Sequence, residues 1–232
     1  MVLLDILSAG FHWSQLLQPQ FYIEHGGLWL ILFVVFAETG LFAGFFLPGD
    51  SLLFVAGIYS SDIARELYPT GNEILDLFML MALISAAGIA GNSVGYWFGR
   101  KVGPAMYSWK ENMLFKQRYL VQAHDFYEKH GGGAIIIARF IPIVRTFAPI
   151  IAGIVQMEKK KFFFYNVVGC IAWVFSMLFA GHFLQKWILA EFNFDLKNHL
   201  EVIVLGIVLV TTAPVLIKLL FSKKDPSRID KL

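Results

Sequence analysis

Residues 26–59 read GGLWLILFVVFAETGLFAGFFLPGDSLLFVAGIY. The stretch is strongly apolar, and its interruptions are Glu38-Thr39-Gly40 and Pro48-Gly49-Asp50. A helix crossing a bilayer needs roughly 20 apolar residues. This run is too long for one such helix and too short for two with a loop between them. Pro and Gly at its centre interrupt the helix, and the backbone groups they free must be satisfied inside protein or by water. Charges at that depth face a bundle interior or a wet cavity. A re-entrant hairpin meets all these demands. The chain goes in partway, turns around Gly40, Pro48 and Gly49, and leaves on the side it entered.

A second stretch has the same character. Residues 131–157 read GGGAIIIARFIPIVRTFAPIIAGIVQM and place Arg139, Pro142, Arg145 and Pro149 inside an apolar run. They predict a second re-entrant hairpin over 131–157. Three further runs, 74–98, 162–184 and about 202–221, have the length of single membrane helices. The expected fold is an all-α membrane protein, a polytopic helical bundle with two re-entrant helical hairpins. Its parts are an N-terminal interfacial helix in 1–25, a membrane core over 26–184, and a last span with a basic cytoplasmic tail in 185–232. In the first part, Leu3, Leu4, Leu7, Phe11 and Leu17 share one helical face, and Pro19 ends or bends the segment. No Lys or Arg precedes Arg65, so the basic region of a signal peptide is missing.

Charge supports the second hairpin independently. Arg100, Lys101, Lys110, Lys116, Arg118 and Lys129 fall in 99–130, Lys159, Lys160 and Lys161 follow the hairpin, and Lys223, Lys224, Arg228 and Lys231 lie in the tail. All of these are cytoplasmic if residues 131–157 re-enter, whereas a full span there would separate the first two groups. The first hairpin then opens outside and the second inside. Both follow glycines, Gly26-Gly27 and Gly131-Gly132-Gly133, and both end in Ala-Gly, at Ala56-Gly57 and Ala152-Gly153. The expectation is an inverted repeat whose broken elements meet near the membrane midplane, the place of substrate sites in transporters built this way.

Composition excludes most other classes. Residues of the AVILMFWYC set make up 57% and charged residues 16% of the 232 positions. That leaves too few charges for the surface of a soluble enzyme. A net charge of +2 without a dense basic stripe excludes a nucleic-acid partner. One cysteine, Cys170, rules out a disulfide framework and a thiolate-rich metal site. The six histidines, His12, His25, His124, His130, His182 and His199, show no metal-ligand spacing. No cofactor or metal is expected.

The charges of the hairpins divide by sign. The first holds the acids Glu38 and Asp50, and the second the bases Arg139 and Arg145. One reading is an ion-pair network joining the hairpins. The other is an anion site. Arginine presents a planar fork suited to phosphate oxygens, and a carboxylate in a partly wet interior can exchange protons. Both readings can hold at different steps of a cycle.

Glu38-Thr39-Gly40 with Pro48-Gly49-Asp50, then Gly95-Tyr96-Trp97-Phe98-Gly99-Arg100, resemble the DedA (SNARE-associated, VTT-domain) membrane proteins. His130-Gly131, Arg139-Phe140-Ile141-Pro142 with Arg145, Pro149, Ala152-Gly153, Met157, Phe162, Asn166, Gly169 and Trp173 continue the pattern. The resemblance covers about residues 25–185. It implies a multi-pass protein of the bacterial inner membrane that returns undecaprenyl phosphate or a related lipid phosphate across the bilayer, coupled to a proton or sodium gradient. It assigns Glu38 and Asp50 to ion coupling and Arg139 and Arg145 to the substrate phosphate. Other members of the family are tied to phosphatidylethanolamine handling or membrane homeostasis, and eukaryotic relatives look like scramblases.

Enzymatic readings fare poorly. Gly91-Asn92-Ser93-Val94-Gly95 matches the serine-hydrolase G-x-S-x-G pattern, but it lies in an apolar helical run without the required strand-turn-helix context. Ala87, Gly91, Gly95 and Gly99 recur every fourth residue and form a small-residue face for close helix packing. That face serves internal packing or self-association, so the oligomeric state stays open.

Overall fold

The computed structural model describes residues 19–41, 49–67, 71–106 and 131–199, and singly residues 122, 125, 127, 129 and 206. The interfacial helix expected in 1–25, Pro48, and the last apolar run apart from Gly206 lie outside the described residues. What is described is helical: α1 (Pro19–Gly40), α2 (Gly49–Ile58), α3 (Ser60–Leu67), α4 (Glu73–Met106), α5 (Gly133–Ala138), α6 (Pro142–Ile154) and α7 (Lys159–Phe192), followed by a 3-10 turn, Leu196–His199.

Two 34-residue helices, α4 and α7, form the frame, and both are long and apolar enough to cross a membrane. They run antiparallel in register. Gly88 packs on Cys170, Asn92 bonds Asn166, and Tyr96 stacks on Phe162, so each step of four along α4 is a step of four back along α7. At one end Lys186 pairs with Glu73, and at the other Arg100 donates to the Met157 carbonyl at 3.0 Å. The outward faces carry Trp97, Phe163, Phe164, Phe175 and Phe183, all exposed on the protein. Such faces suit a hydrocarbon solvent.

Both frame helices run past the expected spans, 74–98 and 162–184, because their polar ends continue the helix instead of forming loops. Residues 60–67, which fall between the apolar runs 26–59 and 74–98, form α3. Pro19, expected to end or bend a helix, stands at the start of α1, where its missing N–H costs nothing. The break in α1 comes at Gly27, whose φ of 49° is one that L side chains rarely adopt. Gly131, before α5, also has positive φ. Each glycine cluster therefore marks the same event, the turn into a short apolar segment.

The short helices pack on the frame in a crossed pattern: α1 and α6 lie on α4, and α2 and α5 lie on α7. Exchanging α1 with α5, α2 with α6 and α4 with α7 reproduces the same pairs. The crossings agree in atomic detail. A Cβ on Gly57 of α2 would strike the Leu178 carbonyl of α7, and one on Gly181 would strike the Phe54 carbonyl of α2. Likewise, a Cβ on Gly153 of α6 would strike the Tyr96 carbonyl of α4, and one on Gly99 would strike the Ile150 carbonyl of α6. Two glycine-to-backbone crossings of the same design thus hold the two halves to the frame. The core between them contains Ile31, Val35, Leu52, Leu53, Leu80, Ile84, Trp173 and Leu178, all nearly or fully buried.

The small-residue face of α4 serves this internal packing. Gly91 meets Thr39 and the Phe36 carbonyl of α1, while Gly95 and Gly99 meet Ile150 of α6. Ser93 of the hydrolase-like motif bonds back to the Ile89 carbonyl within the same helix.

Candidate functional site

The site forms where the two interrupted segments meet, beside the middles of α4 and α7. Glu38 sits in the last turn of α1, and Asp50 in the first turn of α2. Arg139 caps α5 at its C-terminus, and Arg145 lies in the first turns of α6. The break between α5 and α6 falls at Phe140–Ile141, with Ile141 extended and Pro142 at the helix start. A residue before proline disfavours helical backbone, which places the break there. Pro149 differs from expectation: it lies within a continuous α6 and does not turn the chain. Lacking an N–H, it leaves the Arg145 carbonyl without its helical donor and loosens the helix at the site.

Arg145 is the hub. Its Nη2 donates to Glu38 Oε1 and its Nη1 to Asp50 Oδ1. The indole N–H of Trp173 donates to Asp50 Oδ1 at 2.9 Å. The guanidinium of Arg145 lies 4.7 Å from the centre of the Trp173 ring and that of Arg139 lies 5.8 Å from it. Both are cation–π distances, and such contacts strengthen as water is excluded. Arg139 and Arg145 are 2% and 5% exposed, Glu38 2% and Trp173 0%, so all four charges sit in a desolvated setting except the partly open Asp50.

Arg139 has different company. Its Nη2 donates to Asn166 Oδ1 at 2.9 Å, an oxygen that also accepts from Asn92 Nδ2 at 2.7 Å. Its Nη1 is buried with no hydrogen-bond partner among the described residues, as are Arg145 Nε and Glu38 Oε2. A buried charged group with unmet hydrogen-bonding capacity is costly, and native proteins rarely keep one without a use.

Space for this arrangement is made by glycine. A Cβ on Gly49 would overlap the Glu38 carboxylate, and a Cβ on Gly40 would come within 2.6 Å of the Gly91 carbonyl. The Glu38 carboxylate therefore lies against the first residue of α2, where the helix dipole favours negative charge. Gly153 and Gly99 act one layer away, at the α4–α6 crossing.

The four hairpin charges singled out from the sequence thus converge. Trp173, Asn92 and Asn166 had no assigned role, yet they supply the ring that both arginines approach and the amides that hold Arg139. Their signal was present in the sequence. Each is a polar or amphipathic side chain deep in an apolar run, where Trp more often marks the ends of a span.

Residues 47–183 match the VTT domain family. The chain belongs to this family, the DedA membrane proteins. It is 39% identical to protein DedA of Escherichia coli strain K12 over 208 residues, covering 88% of this chain and 89% of that one. Membrane protein ML0287 of Mycobacterium leprae is 34% identical over 221 residues, covering 93% and 92%. Inner membrane protein YqjA of E. coli K12 is 34% identical over 164 residues, 69% of each chain. No solved structure matches. The VTT match takes in Arg139, Arg145, Asp50 and Trp173, and begins after Glu38. Membership in a membrane family agrees with the two long apolar helices, and this DedA-family chain is a membrane protein.

Proposed function

We propose that the chain is an inner-membrane transporter that moves a lipid phosphate, most simply undecaprenyl phosphate, across the bilayer with a proton or sodium ion as driver. The observation carrying this reading is the pair of buried arginines within cation–π distance of Trp173, one held by two carboxylates and the other with an unused N–H. Two interrupted helical segments bring these groups to mid-height of the frame. We read them as re-entrant hairpins of an inverted repeat, entering from opposite ends. The second begins and ends at the basic end, where Gly131, Gly132, Gln156 and Met157 line one cleft.

The chemistry follows from charge balance. With Glu38 and Asp50 ionised, the acids neutralise the arginines and Arg145 is occupied. A cation taken up by the acids, proton or sodium, releases Arg145 and leaves net positive charge in a dry setting. A phosphate then fits, accepting from Arg145 and from the unused Nη1 of Arg139 in the bidentate manner guanidinium favours. Loss of the cation restores the carboxylate pairs and expels the anion. Apolar faces of α4 and α7 accommodate the lipid chain, so the headgroup alone needs polar passage.

The test is undecaprenyl-phosphate translocation in proteoliposomes, wild type beside Arg139→Ala, with an imposed ion gradient. Translocation by wild type and its loss in the folded variant are expected. Equal rates in both would overturn the headgroup assignment. Movement of phosphatidylethanolamine instead, independent of any gradient, would replace the reading with a scramblase.

A further inference from the structure

At the basic end of the frame, α4 and α7 enclose a cleft of about 700 Å3 lined by Trp97, Arg100, Lys101, Lys159, Lys160 and Phe163. Four cations gather there, and among the described residues no Asp or Glu lines the cleft. Lys161, next in sequence, does have an acid, pairing with Glu158 at 3.3 Å. Arg100 is held in place by neutral groups: its Nη1 donates to Tyr96 Oη at 2.8 Å and to the Met157 carbonyl at 3.0 Å. The guanidinium is fixed with its charge unneutralised by these partners. Lys101 lies 5.2 Å from the centre of the Trp97 ring, which keeps its ammonium at the rim. Trp97 and Phe163 are 61% and 56% exposed and extend the cleft down the apolar faces. The Tyr96–Phe162 stack, with centroids 4.1 Å apart, closes it from the interior.

A fixed guanidinium, exposed ammonium groups and an aromatic wall leading into hydrocarbon together match one ligand chemistry: an anionic phosphate at the membrane surface with acyl chains beside it. We propose that this cleft binds the phosphate headgroup of an anionic membrane lipid, with the acyl chains lying along Trp97 and Phe163. It is separate from the buried arginine centre, since neither Arg139 nor Arg145 lines it. The inference rests on the membrane placement of α4 and α7 and not on the transport reading.

The experiment is native mass spectrometry of the full chain in detergent, titrated with phosphatidylglycerol and, separately, with phosphatidylcholine. The reference variant is Lys101→Gln/Lys159→Gln/Lys160→Gln. Its counterpart, Lys223→Gln/Lys224→Gln/Lys231→Gln, removes three charges from the basic tail. Wild type and the tail variant should retain phosphatidylglycerol over phosphatidylcholine, and the cleft variant should bind it more weakly by about tenfold or more. Arg100→Lys should weaken binding too, because the bidentate fork is lost. Inorganic phosphate in excess should not displace the lipid. Displacement would assign the cleft to free phosphate and overturn the lipid proposal. Equal loss in the cleft and tail variants would reduce the effect to general surface charge and also overturn it, as would unchanged binding in the cleft variant. Because all three lysines are exposed, an unchanged melting temperature should accompany the loss.

Discussion

Trp173 and Asp50 join the two halves of the protein: the indole of α7 donates to the carboxylate at the start of α2 at 2.9 Å. The same carboxylate oxygen accepts from Arg145 on α6. One indole therefore orients the acid that holds the arginine, while its ring faces both arginines. Trp173→Phe should keep the packed ring and lose the donor. We expect a folded protein with transport reduced about tenfold, as for loss of one hydrogen bond to a charged group. Trp173→Ala should cost about 3–5 kcal/mol of stability because it empties a fully buried site. Thermal unfolding in detergent and proteoliposome transport separate the two effects.

Removing one partner of the hub should be worse than removing all three. Arg145→Met leaves Glu38 buried without its cation and Asp50 with only the Trp173 N–H, a change of about 3–5 kcal/mol for a buried pair. Glu38→Gln/Asp50→Asn/Arg145→Met should recover much of that stability while remaining inactive. Equal melting temperatures for the single and triple variants would show that the network contributes nothing to the fold.

Ion coupling has its own signature. Glu38→Gln and Asp50→Asn should flatten the dependence of transport rate on pH or on sodium before they weaken lipid-phosphate binding. The measurement is initial rate against external pH, with and without sodium, in the same vesicles. A wild-type profile in both variants would confine the acids to holding Arg145.

Glycines at the helix crossings should be intolerant, and those in open space should not. Gly57→Ala, Gly153→Ala, Gly99→Ala and Gly181→Ala each press a methyl into a carbonyl across a crossing, and should lower stability by about 1–3 kcal/mol. A Cβ on Gly133 meets nothing within 4 Å and sits in α5. Gly133→Ala should be neutral or stabilising by up to about 1 kcal/mol. Similar unfolding temperatures across the set would contradict the crossings described.

Gly49→Ala tests the site without touching a charge. Its methyl would displace the Glu38 carboxylate, so transport should fall at least as far as in Glu38→Gln, with normal expression and assembly. Activity near wild type would mean that Glu38 has room to move and that its present position is not the working one.

Much of this protein was legible in its sequence because a membrane makes local composition decisive. Apolar run lengths gave α4 and α7, and interruptions at Gly40 and Pro142 marked where short helices stop and start. The charges of 26–59 and 131–157 named four residues that do converge. Helix continuation past the apolar runs was not legible, since the ends of α4 and α7 are polar and hydropathy is silent there. Pro149 misled for a local reason: one missing N–H is tolerated when α6 is held by α4 on one side. The tertiary structure alone decided who pairs with whom. Nothing in the order of residues says that Arg145 takes both acids while Arg139 takes Asn166, or that Trp173 meets both arginines. Those choices follow from the antiparallel register of α4 and α7 and from glycines that let backbones touch, which fix side-chain positions across segments far apart in the chain.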